Sequence, residues 1–134
     1  MTKLLKSIIA FTIASSLAFP LAIPAAQAGE NTPIGSWQTT SGESRYEITT
    51  CKSGKAICAK LVWLRSDARS STNLKHLNKV ILTGARPVQA NKWRGSLNYA
   101  GERLSGSLTL INKNRLRLNG CNFVFCKTIN FKRI

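Results

Sequence analysis

Four cysteines carry the spacing that most restricts the chemistry of this chain. Cys51 and Cys58 stand seven positions apart, and Cys121 and Cys126 stand five apart. Six intervening residues exceed the usual zinc-knuckle spacing, the sequence has one histidine to complete a metal site, and no Cys-x-x-Cys redox motif occurs. The pattern favours structural disulfides, and we expect neither a metal nor another cofactor.

Catalytic groups are scarce in the sequence. The single histidine, His76, lies in a polar segment where Asp67 is the one nearby carboxylate, so we expect an exposed loop histidine. The chain has five acidic residues in total. Glu43 and Glu47 are close in sequence, but the strand pattern places Glu47 outward, where it can pair with Lys60 across a hairpin. We therefore expect no enzyme activity.

The N-terminal segment has the features of a secretory signal peptide. Lys3 and Lys6 precede an apolar run from Ile8 to Ile23, and small residues then lead to a cleavage site after Ala28. Two prolines interrupt the run, which is shorter than the ~20 apolar residues that a membrane span needs. We expect residues 1–28 to be removed, with no transmembrane segment in the mature chain.

The mature chain, residues 29–134, has the length of one domain. Export predicts a periplasmic location, an oxidising compartment in which disulfides persist. Two of the 20 Lys and Arg residues leave with the signal peptide, so the mature chain carries 18 basic and five acidic residues, a net charge of +13. Such a charge predicts either simple solubility or an anionic partner.

Apolar and polar residues alternate along most of the mature chain, which is typical of antiparallel strands with one wet face. The Ala100-Gly101 pair predicts a two-residue hairpin, in which Trp93 opposes Leu108. The segments that alternate are 45–50, 57–63, 92–99, 103–110, 115–119 and 128–132.

Strand pairing offers a test of the disulfide connectivity. If Cys51 opposes Cys58, then Tyr46 faces Trp63, the apolar faces coincide and both sulfurs lie outside.

If Cys121 opposes Cys126, then Leu118 faces Ile129 and the apolar faces again coincide, with both sulfurs outside. In both hairpins the cysteine pairing and the matching of apolar faces give the same register. This favours the local bridges 51–58 and 121–126 over the other two connectivities.

These strands predict an all-β fold, a closed antiparallel up-and-down β-barrel of about eight strands, because closure removes the exposed sheet edges. The polar, serine-rich segment 65–78 interrupts the pattern and could form a lid. Gly95 and Gly106 oppose each other inside the barrel, which predicts a kink or room for a close backbone approach, and favours some free space.

The first and last segments of the mature domain carry a sequence pattern of a known protein superfamily. "IGSWQTT" contains Gly35 and Trp37, and "NFKRI" contains Arg133. Together they resemble the calycin superfamily of lipocalins, fatty-acid-binding proteins and avidins. The resemblance implies that Gly35 and Trp37 pack under Arg133.

A longer pattern is more specific. A cysteine pair before "VWL", a Trp-Arg-Gly strand at 93–95 and the closing "NGCNFVFCKTINFKRI" resemble a small exported bacterial family catalogued as domain of unknown function 2147. The resemblance implies a lipocalin-like periplasmic barrel. Ala59 stands where that family usually has Gly, Ala100-Gly101 replaces an Asp-Pro turn, and only Asn73 remains of an Asp-x-x-Asn-Pro loop.

The aromatic interior is the candidate ligand site. One interpretation is a filled core with a purely structural role. The other is a cavity at one end, gated by residues 65–78, that binds a small apolar or amphipathic ligand. The candidate cavity residues are Trp37, Tyr46, Trp63, Trp93, Tyr99 and Phe131.

The basic outer wall supports a second hypothesis, a protein that binds anionic lipid, lipopolysaccharide or an anionic protein partner. We expect no specific nucleic acid, since this face lacks outward aromatic residues for base stacking. The candidate anion-binding residues are Arg45, Lys60, Arg94, Arg115, Arg117 and Lys132.

Overall fold

The computed structural model describes residues 32–52 and 54–134, which form a closed antiparallel barrel. The prediction of an all-β, up-and-down barrel of about eight strands is confirmed, while the predicted signal peptide, residues 1–28, lies outside the described residues. In chain order the strands are β1 (Gly35–Thr39), β2 (Ser44–Thr50), β3 (Ile57–Leu64), β4 (Val80–Gln89), β5 (Lys92–Tyr99), β6 (Glu102–Asn112), β7 (Arg115–Cys121) and β8 (Cys126–Arg133).

The barrel has two different ends. We call one the mouth: it carries the turns β1–β2 and β5–β6, the connection β3–β4 and the loop β7–β8. The other end, the base, carries the remaining turns and the start of β1. β8 pairs with β1 through Trp37 and Arg133, which closes the barrel.

The registers of the C-terminal half agree with the sequence. Trp93 opposes Leu108, and Leu118 opposes Ile129. A two-residue turn at Ala100-Gly101 fixes the first pairing, because Ala100 and Gly101 adopt positive φ values of 51° and 79°. Short loops therefore made these registers predictable.

The register of β2 and β3 differs from the prediction by two residues, since Thr49, rather than Cys51, opposes Cys58. Cys51 lies beyond the end of β2, where its N–H bonds to the carbonyl of Ala56 (2.7 Å). A shift of two residues preserves the inward and outward faces of a strand. A six-residue loop leaves this register open in the sequence.

A bulge overturns the inward placement of Trp63. Val62 has no partner in β2, so Tyr46 opposes Leu61 and Arg45 opposes Trp63. The indole therefore lies on the outer face, with the Arg45 guanidinium 4.4 Å from the ring centroid. An extra residue reverses which face the following side chains occupy.

Both local disulfides are present as expected, Cys51–Cys58 near the base and Cys121–Cys126 at the mouth. All four cysteines are thereby oxidised, and none is free. Disulfides of this kind fit an oxidising compartment.

The base is organised around Trp37, which is fully buried and donates from Nε1 to the carbonyl of Pro33 (2.8 Å). The Arg133 guanidinium stacks 4.2 Å from the Trp37 ring centroid. Gly35 has a φ of 139°, and a side chain there would collide with Arg133. The arginine also donates to three backbone carbonyl oxygens, those of Lys113 (2.6 Å), Ile34 (3.0 Å) and Thr32 (2.7 Å).

The expectation of free space at the paired inward glycines is wrong, whereas the expected close approach of another backbone is confirmed at Gly95. A Cβ on Gly95 would lie 2.5 Å from the carbonyl oxygen of Thr83, and one on Gly106 would lie 2.9 Å from Leu82. β4 bends inward here, so the space is filled by its backbone and by leucine side chains.

The connection from β3 to β4, residues 65–79, forms what we call the lid. It contains a short 3₁₀ helix (Ser66–Ala68) and one turn of α-helix, α1 (Ser71–Leu74). Ser70 caps α1 by accepting from the Asn73 N–H (3.2 Å). Among the described residues, no helix has the length and apolar character to cross a membrane.

Candidate functional site

A cavity of about 330 Å³ opens at the mouth of the barrel, and we call it the mouth cavity. Its wall combines strand residues with Ala68, Asn73 and His76 of the lid. The cavity lies beside residues 65–78, where the sequence suggested an end cavity as the alternative to a filled core. Its volume is at the low end of the range for ligand pockets.

The floor of the mouth cavity is apolar. Leu61, Leu64, Ile81 and Ile129 come from three strands and present hydrocarbon to the cavity. Beneath the floor the barrel is nearly filled, with voids of about 30 Å³ and 10 Å³. The interior is thus hollow at the mouth and packed towards the base.

Tyr46 contributes a half-buried phenol to the wall of the mouth cavity. Its ring meets Phe131 edge-on, with centroids 5.3 Å apart, and its hydroxyl lies 3.4 Å from the Ser44 hydroxyl. Burial raises the pKa of Tyr46 above the ordinary 10.0. The phenol is therefore neutral at physiological pH and can donate a hydrogen bond into the cavity.

The turn between β1 and β2 forms one side of the rim. The Thr39 hydroxyl accepts from the N–H groups of Glu43 (3.1 Å) and Ser44 (3.2 Å) and from the Ser41 hydroxyl (3.2 Å). These bonds hold the turn in place and satisfy its donors. Thr39 thus shapes the rim.

Lys127 brings a positive charge to the opposite side of the mouth. Its Nζ donates to the Tyr99 hydroxyl (3.3 Å) and lies 4.8 Å from the Tyr99 ring centroid. Lys127 opposes Gly120 in β7, which leaves room for the long side chain to lie over the cavity. An ammonium at the edge of an apolar pocket can bind an anionic headgroup.

His76 fastens the lid to the β5–β6 turn. Its ring stacks on Tyr99 with centroids 6.0 Å apart and planes within 8°, and its Nε2 accepts from the Ala100 N–H (3.1 Å). The expectation of an exposed loop histidine is wrong, because the ring is half-buried between these groups. This contact holds the lid over the mouth cavity.

An ion pair shapes the start of the lid. Arg65 donates from Nε to Asp67 (2.6 Å) and from Nη2 to the same carboxylate (2.9 Å), and Glu43 lies 4.0 Å away. The hydrogen bond from Arg65 lowers the pKa of Asp67 below its ordinary 3.8. The Asp67 carboxylate therefore faces Arg65, and the hydrogen bond that His76 makes is with the Ala100 N–H instead.

The predicted cavity residues separate into three groups. Tyr46 and Tyr99 line the mouth cavity, and Phe131 packs against Tyr46 below it. Trp37 and Trp93 do not line it, since both belong to the half of the barrel near the base. Trp63 is outside.

The predicted anion-binding residues are spread over the outer wall. Strand pairing runs from Arg115 through Lys132 and Gln38 to Arg45, which makes one cationic row across β7, β8, β1 and β2. Arg117 lies beside this row and donates to Asn130 (3.3 Å).

The other two candidates lie away from that row. Lys60 stands opposite Glu47, as expected, and Arg94 stands opposite Arg86 on another wall. Within residues 32–52 and 54–134, no group of three or more His, Cys, Asp and Glu residues could hold a metal ion.

Lys127 and the rim hydroxyls Thr39 and Ser44 are site residues that sequence reasoning missed. The signal for Lys127 was available, because alternation along β8 places 127, 129 and 131 on one face. Ile129 and Phe131 define that face as inward. A lysine on an inward face, opposite a glycine, is the pattern that identifies Lys127 as a candidate site residue.

Comparison with known proteins places this geometry in a family. The model of the family described as "Uncharacterized protein conserved in bacteria (DUF2147)" matches residues 35–133. The chain belongs to this family. The matched DUF2147 range spans all eight strands, from Gly35 to Arg133, and the barrel is consistent with a calycin-like fold. Searches of curated proteins and of solved structures found no match.

Proposed function

We propose that this protein binds a small amphipathic ligand with an anionic headgroup in the mouth cavity, without catalysis. The single observation that carries the proposal is an inward lysine at the edge of an apolar-floored cavity of about 330 Å³. The hydrocarbon part of the ligand lies on Leu61, Ile81 and Ile129. The headgroup lies near Lys127 and the neutral Tyr46 hydroxyl.

The predicted signal peptide and the disulfides support a site of action outside the cytoplasm, which we propose to be the periplasm. There the ligand is an amphipathic anion from the envelope or the medium. The cavity supports this chemical class and not one particular ligand.

A calorimetric titration with decanoate and with 1-decanol tests this proposal, because the two share a chain and differ in headgroup charge. We expect both to bind and Lys127→Met to weaken decanoate binding roughly twofold to fivefold, as for a partly exposed charge pair. Binding of 1-decanol should stay unchanged.

Lys60→Met, on the outer face of β3, is the matched control and should leave both affinities as they are. Equal loss of decanoate binding in the Lys60 and Lys127 variants, or no binding of either probe, would rule out the proposed site. Native mass spectrometry of the purified protein complements the titration, since a co-purifying ligand identifies the physiological class.

A second candidate function is anion binding on the outer wall. It is supported by the row from Arg115 to Arg45 and by an open depression of about 360 Å³ lined by Arg115 and Arg117. Replacing both arginines by methionine should then weaken binding to lipopolysaccharide at low salt, where exposed charges are least screened.

A further inference from the structure

The loop between β7 and β8 presents three consecutive apolar side chains to solvent. Phe123 is fully exposed, Val124 is 88% exposed and Phe125 is 53% exposed. We call residues 122–125 the apolar loop. Single exposed apolar residues are common on proteins, but two phenylalanines and a valine in sequence at a loop tip indicate a binding surface.

The apolar loop is held in shape from within. The Cys121–Cys126 disulfide joins its ends, and the Asn122 N–H bonds to the carbonyl of Phe125 (3.0 Å). The Asn122 side-chain oxygen accepts from the N–H groups of Val124 (2.8 Å) and Phe125 (2.8 Å). Because these donors are already paired, the loop can leave water with a smaller desolvation penalty.

The mouth end, which carries the apolar loop, has an excess of positive charge. The lid, the β1–β2 turn and the two residues at the mouth end of each strand carry seven basic and three acidic residues, and Asp67 is already bound by Arg65. Leu74 of α1, 45% exposed, adds an apolar side chain at the same end. The basic residues at the mouth are Arg45, Arg65, Arg69, Lys75, Lys79, Arg103 and Lys127, and the acidic ones are Glu43, Asp67 and Glu102.

We propose that the mouth end docks on an anionic lipid bilayer and that Phe123 and Phe125 insert among the lipids. Apolar side chains that enter the interface beside basic residues are the usual combination for reversible binding to anionic membranes. The base lacks such a loop among its described residues, since its exposed apolar residues Ile34, Val88, Ile111 and Ile134 are not consecutive. Docking in this way turns the mouth cavity towards the bilayer.

Vesicle flotation tests the proposal. Vesicles of phosphatidylglycerol mixed with phosphatidylcholine should bind the protein, and vesicles of phosphatidylcholine alone should bind it less. The double variant Phe123→Ser/Phe125→Ser should bind the anionic vesicles at least about tenfold more weakly, because it loses two phenylalanine side chains from the interface.

The control is Val88→Ser/Ile111→Ser, which removes two exposed apolar residues, 47% and 49% exposed, from the base side. It should bind as the unchanged protein does. The same purified form of the chain serves for all variants, and circular dichroism verifies that each is folded. Equal binding by the unchanged protein and the Phe123/Phe125 variant would overturn the proposal.

A second measurement reports insertion directly. Phe123→Trp should show a blue-shifted emission and quenching by brominated lipid, whereas Ile111→Trp should show neither.

Self-association that depends on Phe123 and Phe125, without vesicle binding, would instead identify a second copy of the chain as the occupant. The apolar loop does not line the mouth cavity, so decanoate titration of the Phe123/Phe125 variant separates failure of docking from failure of the proposed function.

Discussion

Lys127 shows how one residue changes the interpretation of the whole interior. The aromatic residues of the sequence suggested an apolar interior, but the inward lysine adds a charge at its open end. It is kept there by Tyr99, through a hydrogen bond and a contact with the ring face. We therefore expect amphipathic anions to bind more tightly than purely apolar ligands.

Trp37 and Arg133 have a structural role, whereas Lys127 belongs to the candidate binding site. The pair stabilises the barrel at the base. The contact between Trp37 and Arg133 was predicted from the resemblance of the first and last strands to those of calycins. The geometry gives a physical reason, since one guanidinium covers the indole and satisfies three carbonyl groups.

Arg133→Met should lower the free energy of unfolding by about 2 kcal/mol, because the cation–π contact and the charged hydrogen bonds are lost while the side-chain length is kept. Urea unfolding monitored by tryptophan fluorescence measures this. Arg117→Met is the control, with an expected change within about 0.5 kcal/mol. Equal effects of the two substitutions would remove the special role of Arg133.

At the scale of elements, turn length decides which registers the sequence predicts. The two-residue turn at Ala100-Gly101 and the short loop between Cys121 and Cys126 each left one pairing that matched the apolar faces. The longer loop between Cys51 and Cys58 allowed two registers that differ by two residues, and alternation cannot separate them.

The bulge at Val62 could not be predicted from the pattern of residues. Every residue from Leu61 to Leu64 is apolar, so the sequence carries no sign of the point at which the faces exchange. The exchange has a consequence for the site. It brings Leu64 inward to the floor of the mouth cavity and leaves Trp63 outside beside Arg45.

The lid is the element whose attachment can be tested most simply. His76→Phe keeps an aromatic ring to stack on Tyr99 but removes the acceptor for the Ala100 N–H. We expect the Ala100 amide to exchange with deuterium about fivefold faster, which corresponds to the loss of one ordinary hydrogen bond of about 1 kcal/mol.

Lys75→Ala, on the same segment, is the control for this exchange measurement, and it should leave the Ala100 amide unchanged. If His76→Phe also leaves the amide unchanged, His76 does not fasten the lid to the β5–β6 turn.

At the scale of the molecule, the barrel is divided into a packed half and a hollow half. The sequence predicted closure and the inward faces but left open whether the interior was filled. Both interpretations hold in part: β4 bends inward against Gly95 and fills the lower half, and the lid leaves a cavity above. That bend depends on the path of the β4 backbone, which alternation of residue types does not encode.

The measurement that tests the central claim most directly is an NMR experiment on the protein with ¹³C-labelled decanoate. We predict intermolecular NOEs from the decanoate chain to the methyl groups of Leu61, Ile81 and Ile129, which lie together only on the floor of the mouth cavity. NOEs confined to Val124 or to Ile111, or none at saturating decanoate, would contradict the account.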